Sequence, residues 1–187
     1  MTSRFEILDT AIDGLQVLQR RPIGDGRGYL ERMYCVEELQ AVAAGRPVAQ
    51  INHTYTEKRG TVRGMHFQRP PYAEVKFVSC LRGEVFDVAV DLRRDSPTFL
   101  HWHAERLSAE NHRTLVIPEG FAHGFQTLTG DCEMLYFHSA IYQPAAEGGL
   151  HAQDPRLAVD WPLEVTDLSH RDAAHPFLDE SFAGVMP

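Results

Sequence analysis

Between Val48 and Tyr142 the chain is written as short β-rich runs. They cover Val48 to Thr56, Thr61 to Phe67, Val75 to Leu81, Glu84 to Leu92, Leu115 to Ile117 and Glu133 to Tyr142, with Gly, Pro, Asn or Asp between them. Many short runs at close spacing leave little room for helices. They predict an all-β fold, an antiparallel sandwich or barrel of jelly-roll type. Arg82-Gly83 joins two runs as a tight hairpin. Upstream, weak alternation over residues 1–20 predicts a strand or hairpin, and the Gly-punctuated stretch from Asp25 to Glu31 predicts a turn entering another strand. Val36 to Ala44 is rich in Glu, Leu, Gln and Ala and stops at Gly45 with Pro47 beyond, which predicts a short N-terminal helix. The tail after Trp161 is expected to wrap the barrel. No repeat or linker interrupts the 187 residues, so residues 1–187 read as one domain.

Charge and cysteine usage narrow the function classes. The net charge is -8 and the basic residues are scattered, which excludes nucleic acid as a general partner. The amino terminus lacks a basic start followed by an apolar core, and no apolar run is long enough to span a bilayer, so no membrane partner is expected. Cys35, Cys80 and Cys132 are odd in number and show no CxxC spacing. They read as free thiols in a reducing compartment, the cytoplasm, with Cys80 and Cys132 packed inside strands.

Arg63-Gly64-Met65-His66-Phe67-Gln68 puts a cation, an imidazole and an amide into the middle of a strand. Each needs a partner once it leaves water. In a regular strand Val62, Gly64, His66 and Gln68 share one face, and Arg63, Met65 and Phe67 the other. Either a bulge at Gly64 re-aims one side chain or only one of Arg63 and His66 serves a site. Lys76 shares a face with Val78 and Cys80 and is either a buried functional amine or a lysine snorkelling from an edge. Met134, Tyr136 and His138 share a face of a late strand, and Tyr142 keeps that parity. A His, a Lys, a Tyr and an Arg from separate strands facing one cavity suit proton abstraction α to a carbonyl and reprotonation from the opposite face. Asp172 reads as an exposed tail residue or as the carboxylate that orients His66.

A metal site is the main rival. Pro118-Glu-Gly-Phe-Ala-His123 has the Pro-x-Gly-x-x-His spacing of metal-binding cupins, and His101-Trp102-His103 with Glu105 offers two imidazoles and a carboxylate on one parity. Against it, Gln68 stands where a second His is wanted near His66, and no further ligand follows His123. The HWH triplet reads better as a solvated strand face. No phosphate loop, dinucleotide fingerprint or nucleophile elbow is present.

These residues also carry a family resemblance. Arg63-Gly-Met-His-Phe-Gln, Lys76, Arg82-Gly-Glu-Val-Phe-Asp-Val-Ala-Val-Asp-Leu-Arg93, Ser96-Pro-Thr98, Ile117-Pro-Glu-Gly-Phe-Ala-His-Gly-Phe125 and Asp160-Trp-Pro162 resemble, in order and spacing, the dTDP-4-dehydrorhamnose 3,5-epimerase family. The resemblance runs from about Asp25 to Asp172. It implies a cupin fold without metal or other cofactor, and epimerisation of a nucleotide-linked 4-keto-6-deoxy sugar. It further implies His66 as general base, Asp172 as its carboxylate partner, Lys76 as holder of the enolate oxygen and Tyr136 as general acid. Gln50, Asn52, Arg63, His123 and Tyr142 match binding-pocket positions, and Glu31 is grouped with them. Arg27 matches a residue that reaches a neighbouring subunit's nucleotide, so a homodimer is implied. The chain departs from the family's usual residues at Leu30 (Phe), Thr54 (Ser), Glu74 (Gln) and Arg171 (Lys).

Overall fold

The computed structural model describes residues 3–186. Thirteen strands follow in chain order: β1 (Phe5–Asp9), β2 (Gln16–Arg20), β3 (Ile23–Asp25), β4 (Gly28–Leu30), β5 (Gln50–Thr56), β6 (Val62–Gln68), β7 (Lys76–Arg82), β8 (Glu84–Asp91), β9 (Trp102–Ser108), β10 (Arg113–Ile117), β11 (Phe121–Thr127), β12 (Cys132–His138) and β13 (Glu147–Gly149). A six-stranded sheet runs β1-β2-β10-β7-β12-β5, and a five-stranded sheet runs β13-β6-β11-β8-β9. All their pairings are antiparallel. Strands β3 and β4 form a separate hairpin. The architecture is a jelly-roll sandwich, as the strand pattern predicted.

Alternation along the strands builds three apolar layers. Val17, Val78, Leu115 and Met134 from the six-stranded sheet meet Val85, Ala89, Phe121 and Phe125 from the five-stranded sheet in the central core. The opposite parity of β8 places Val88 and Val90 on the outer face. There, with Met65 and Phe67, they are covered by tail residues Leu157, Trp161, Leu178 and Val185. The tail thus wraps one sheet and seals it from water. On the other sheet's outer face Phe77, Val116 and Phe137 pack under Leu39 and Ala43.

That last contact explains a departure from expectation. Residues 36–44 form successive turns, not the expected N-terminal helix. Leu39 and Ala43 donate to carbonyls four residues back, but Ala44 bonds Ala41 and Gly45 bonds Gln40. Ala44 and Gly45 both have positive φ, 52° and 70°. Nine residues are too few to sustain a helix on propensity, and burying Leu39 and Ala43 on the sheet sets the path instead. Among the described residues the one α-helix is α1 (His170–Ala173), in the tail, where Ser169 Oγ caps the Asp172 N–H at 3.0 Å.

Strands β9, β11 and β13 lie outside the predicted runs, although His101-Trp102-His103 at the start of β9 reads as a strand face. All seven residues of β11 are buried, so its sequence shows no polar alternation. Cys80 sits in the central core, and burial pushes its thiol up to about 12, as suits a packing role.

Asp91 organises the turn after β8. Its carboxylate accepts from the Arg93 guanidinium at 2.8 and 2.9 Å, from Ser96 Oγ at 2.6 Å and from Thr98 Oγ1 at 2.7 Å. Burial alone would raise its pKa, but these donors outweigh it and hold the carboxyl at about 2. A folded pKa below the unfolded value gives stability that is full above about pH 5 and is lost as pH falls through about 2. The shift from 3.8 corresponds to about 2 kcal/mol. Asp91→Asn is therefore expected to lose about that much in urea unfolding at pH 7, with the gap closing near pH 2. An equal gap at both pH values would contradict the assignment.

Candidate active site

A cavity of about 560 Å³ opens between the two sheets, in the range of small-molecule sites. Arg63 and His66 enter it from β6 and His123 from β11. Facing them are Asn52 and Thr54 from β5, Lys76 from β7, and Tyr136 and His138 from β12. Asp172 reaches it from α1.

The parity conflict between Arg63 and His66 is resolved by a bulge. Arg63 pairs with Phe125 and His66 with His123, so β6 advances three residues where β11 advances two. Gly64 takes φ 118° at the extra position, and both side chains reach the cavity while Met65 turns into the outer core. A Cβ on Gly64 would lie 2.6 Å from Gly124 Cα and 2.7 Å from His123 O. Both are backbone atoms and cannot rotate away. Gly64→Ala is expected to cost about 3 kcal/mol in denaturant unfolding, through the clash and the unfavourable φ together. A change below about 0.5 kcal/mol would show that the bulge is not rigid.

Three histidines of this cavity are each paired with a carboxylate at 2.8 Å: His66 with Asp172, His123 with Asp87 behind the cavity wall, and His138 with Glu74. Asp172 also accepts from the Gly64 N–H at 3.3 Å. Burial pushes its carboxyl up, but the His66 hydrogen bond and charge outweigh this and leave it below the usual range. An ionised Asp172 holds the proton on His66 Nε2 and leaves Nδ1 as the proton acceptor. Asp87 is wholly buried, and burial pushes its carboxyl up against the pull of His123.

Lys76 is no snorkelling edge residue. Its side chain is 10 % exposed, and its Nζ lies 3.3 Å from Glu74 Oε1 and 3.4 Å from the His66 carbonyl. Glu74, at one of the departures from the family pattern, thus ties Lys76 to His138. Burial raises the Glu74 carboxyl, yet His138 and Lys76 prevail and keep it below its ordinary value. Tyr136 lies between two imidazoles, stacked on His138 (centroids 5.9 Å, interplanar 20°) and edge-on to His123 (6.0 Å). Burial and the Asp87 charge push its phenol well above the ordinary value, so it stays protonated.

The remaining expected positions divide. Arg63 lines the cavity and donates to Thr56 Oγ1 at 3.0 Å. Gln50 accepts the Tyr142 N–H at 2.9 Å and donates to Asn52 at 3.0 Å, so it braces two lining residues. Arg27 is on the β3–β4 hairpin, with its side chain 91 % exposed and paired to Asp25. Glu31 takes Arg20 at 2.8 Å and His112 at 2.9 Å. Neither Arg27 nor Glu31 lines the cavity. Gln68 spends both ends of its amide on backbone, donating to Tyr72 and Ile141 and accepting from Gln143, so it anchors a loop. His103 lies 3.7 Å from Glu105, which is committed to Arg113. Among the described residues His101, His103 and Glu105 form no ligand cluster.

Asp87, Glu74, His138 and Arg171 were not singled out as site residues. Asp87 had a signal, a carboxylate at inward parity in the middle of an apolar strand. Glu74 and His138 meet only through the β7–β12 pairing, which a single sequence does not show.

Two facing sheets thus bring a carboxylate-backed imidazole on one side against a buried amine and a protonated phenol on the other, in the cavity of a jelly roll, an arrangement suited to moving protons. The dTDP-4-dehydrorhamnose 3,5-epimerase family model matches residues 9–180. A dTDP-4-dehydrorhamnose 3,5-epimerase of Salmonella typhimurium is 43% identical over 178 residues, 94% of this chain and 96% of the relative. A dTDP-4-dehydrorhamnose 3-epimerase of Streptomyces niveus is 40% identical, over 94% of this chain and 86% of its own. The crystal structure of the dTDP-6-deoxy-D-glucose-3,5-epimerase of Legionella pneumophila, in complex with dTDP-4-keto-L-rhamnose, superposes with a TM-score of 0.90 at 36% identity, covering 98% of this chain and 99% of that one. The chain belongs to the dTDP-4-dehydrorhamnose 3,5-epimerase family, and its jelly roll is of the cupin type.

Proposed function

We propose that this chain inverts C3 and C5 of a dTDP-linked 4-keto-6-deoxyhexose, a step in making rhamnose-type deoxysugars. The observation that carries the reading is the placement of His66 on the five-stranded sheet and of Lys76 and Tyr136 on the six-stranded sheet across one cavity. The C4 ketone acidifies the C–H bonds on either side of it. His66 takes a proton from one face, and the electrons pass to the C4 oxygen, where the Lys76 ammonium stabilises the enolate. Tyr136 gives its proton to the same carbon from the other face, inverting it. The two centres flank one carbonyl, so one base, one oxyanion holder and one acid serve both in turn, once solvent has taken the proton from His66 and returned one to Tyr136. Asn52, Arg63, His123 and Tyr142 hold the sugar and its diphosphate in place, with Gln50 bracing them.

The exposed β3–β4 hairpin, with Ile23, Tyr29 and Leu30 47–67 % exposed around Arg27, supports a homodimer in which Arg27 reaches the partner's nucleotide. Glu31, at the foot of this hairpin, fixes it to the body through Arg20. Light scattering at the mass of one chain would contradict the dimer. No helix of the described residues is long and apolar enough to cross a membrane, and action in the cytoplasm fits the three free thiols. Recovery of the protein in a secreted fraction would count against that location.

The test of the activity is to supply dTDP-4-keto-6-deoxyglucose and follow the sugar by NMR. Inversion at both C3 and C5 is expected. Inversion at C3 alone makes the chain a 3-epimerase, and an unchanged sugar removes the reading.

A further inference from the structure

We propose that His66, Asp172 and His175 form a capture site for a zinc-like divalent cation that switches the enzyme off by taking the Asp172-facing nitrogen of His66 and moving the ring proton onto Nδ1, the nitrogen that must accept the substrate's proton. The proposal rests on the reading of His66 as that base. One donor atom from each of the three residues lies within 4.8 Å of the others. Asp172 and His175 are three residues apart around α1 and its C-cap, so both project toward β6. The His175 ring stands edge-on to the His66 ring at 5.7 Å, and its Nε2 is shielded from water with no hydrogen-bond partner. A shielded imidazole nitrogen whose lone pair meets no hydrogen-bond donor is open to a cation. Nothing in the proposed reaction uses it.

Two imidazoles and a carboxylate are a set that zinc accepts, with a fourth position left for water. Donors on a tetrahedron at zinc–nitrogen distances are about 3.4 Å apart, so closure needs movements of roughly 1 Å. Asp172 is already fixed by the Gly64 N–H and by its own N–H on Ser169. The movement therefore falls on His175, which follows the last turn of α1. One group opposes the ion. The Arg171 guanidinium lies 3.2 Å from His66 Nε2 and 3.6 Å from Asp172. Its side chain is 55 % exposed and its Glu147 contacts are 3.3 Å long, so it can swing into water and leave the ligands to the metal. Reversible, micromolar binding is the expected result, not a permanent structural ion.

The experiment titrates metal-stripped protein with Co²⁺, read by its visible absorption and competed with Zn²⁺, and in parallel measures turnover against Zn²⁺. The intact chain is expected to bind one ion and to lose turnover over the same range. His175→Gln is expected to keep metal-free turnover and to need more than about ten times the Zn²⁺ for half inhibition. His175→Cys, which restores a ligand, recovers tight binding. Equal Co²⁺ and Zn²⁺ responses in the intact chain and His175→Gln would overturn the proposal, as would no Co²⁺ binding by the intact chain. Cobalt absorption needs no turnover. Co²⁺ bound through His175 by an enzyme that fails to epimerise would therefore refute the epimerase reading while leaving the metal site standing.

Discussion

His66→Gln is expected to cut turnover by roughly 10²–10⁴-fold, the contribution of a positioned acid/base group, while the protein stays folded. The glutamine amide reaches as far as His66 Nε2 and keeps an N–H for Asp172, whereas alanine would strand a side-chain carboxylate that is only 4 % exposed. The loss should therefore appear in kcat and not in the denaturant midpoint. Substrate-dependent deuterium uptake from D₂O should fall with it. His123, held by Asp87, is on the same sheet as His66, but its ring stands edge-on to Tyr136 with centroids 6.0 Å apart. Near-normal exchange in His66→Gln would transfer the base role to that second pair.

Lys76→Met is expected to cost about 2.7–4 kcal/mol of transition-state stabilisation, by analogy with the loss of an oxyanion donor. Methionine fills much of the lysine's volume, and Glu74 keeps its His138 partner at 2.8 Å, so unfolding should change little. The charge on the C4 oxygen exists only once a proton has left carbon. The loss should therefore fall on kcat, with KM nearly unchanged. A raised KM with kcat intact would mean that Lys76 binds the ground state, as a phosphate contact would.

Much of this was legible because strand parity is a strict rule. The faces assigned to Lys76-Val78-Cys80 and to Met134-Tyr136-His138 are the faces observed, with Val78 and Met134 in the core and Tyr136 and His138 on the cavity. Parity failed at Gly64, and there the failure itself marked the bulge. Segments whose structure is set by distant packing were not legible. Residues 36–44 carry helical composition but fold as turns because Leu39 and Ala43 are drawn onto a sheet. Strand β11 hid because it is buried along its whole length. Glu74 and His138 are separated by 64 residues and meet only when β7 and β12 pair. Asp172 gave no sign in the sequence that it is buried. It is pulled inward because the tail packs on the outer sheet and α1 presents it to His66.

The central claim is that the proton leaves toward one sheet and returns from the other. Tyr136→Phe in D₂O tests it most directly, since it removes the returning acid and leaves His66, Asp172 and Lys76 in place. The account predicts deuterium at C3 and C5 with the original configuration kept, because His66 alone then removes and restores the proton on its own face. Deuterium with inversion at the unmodified rate would contradict it.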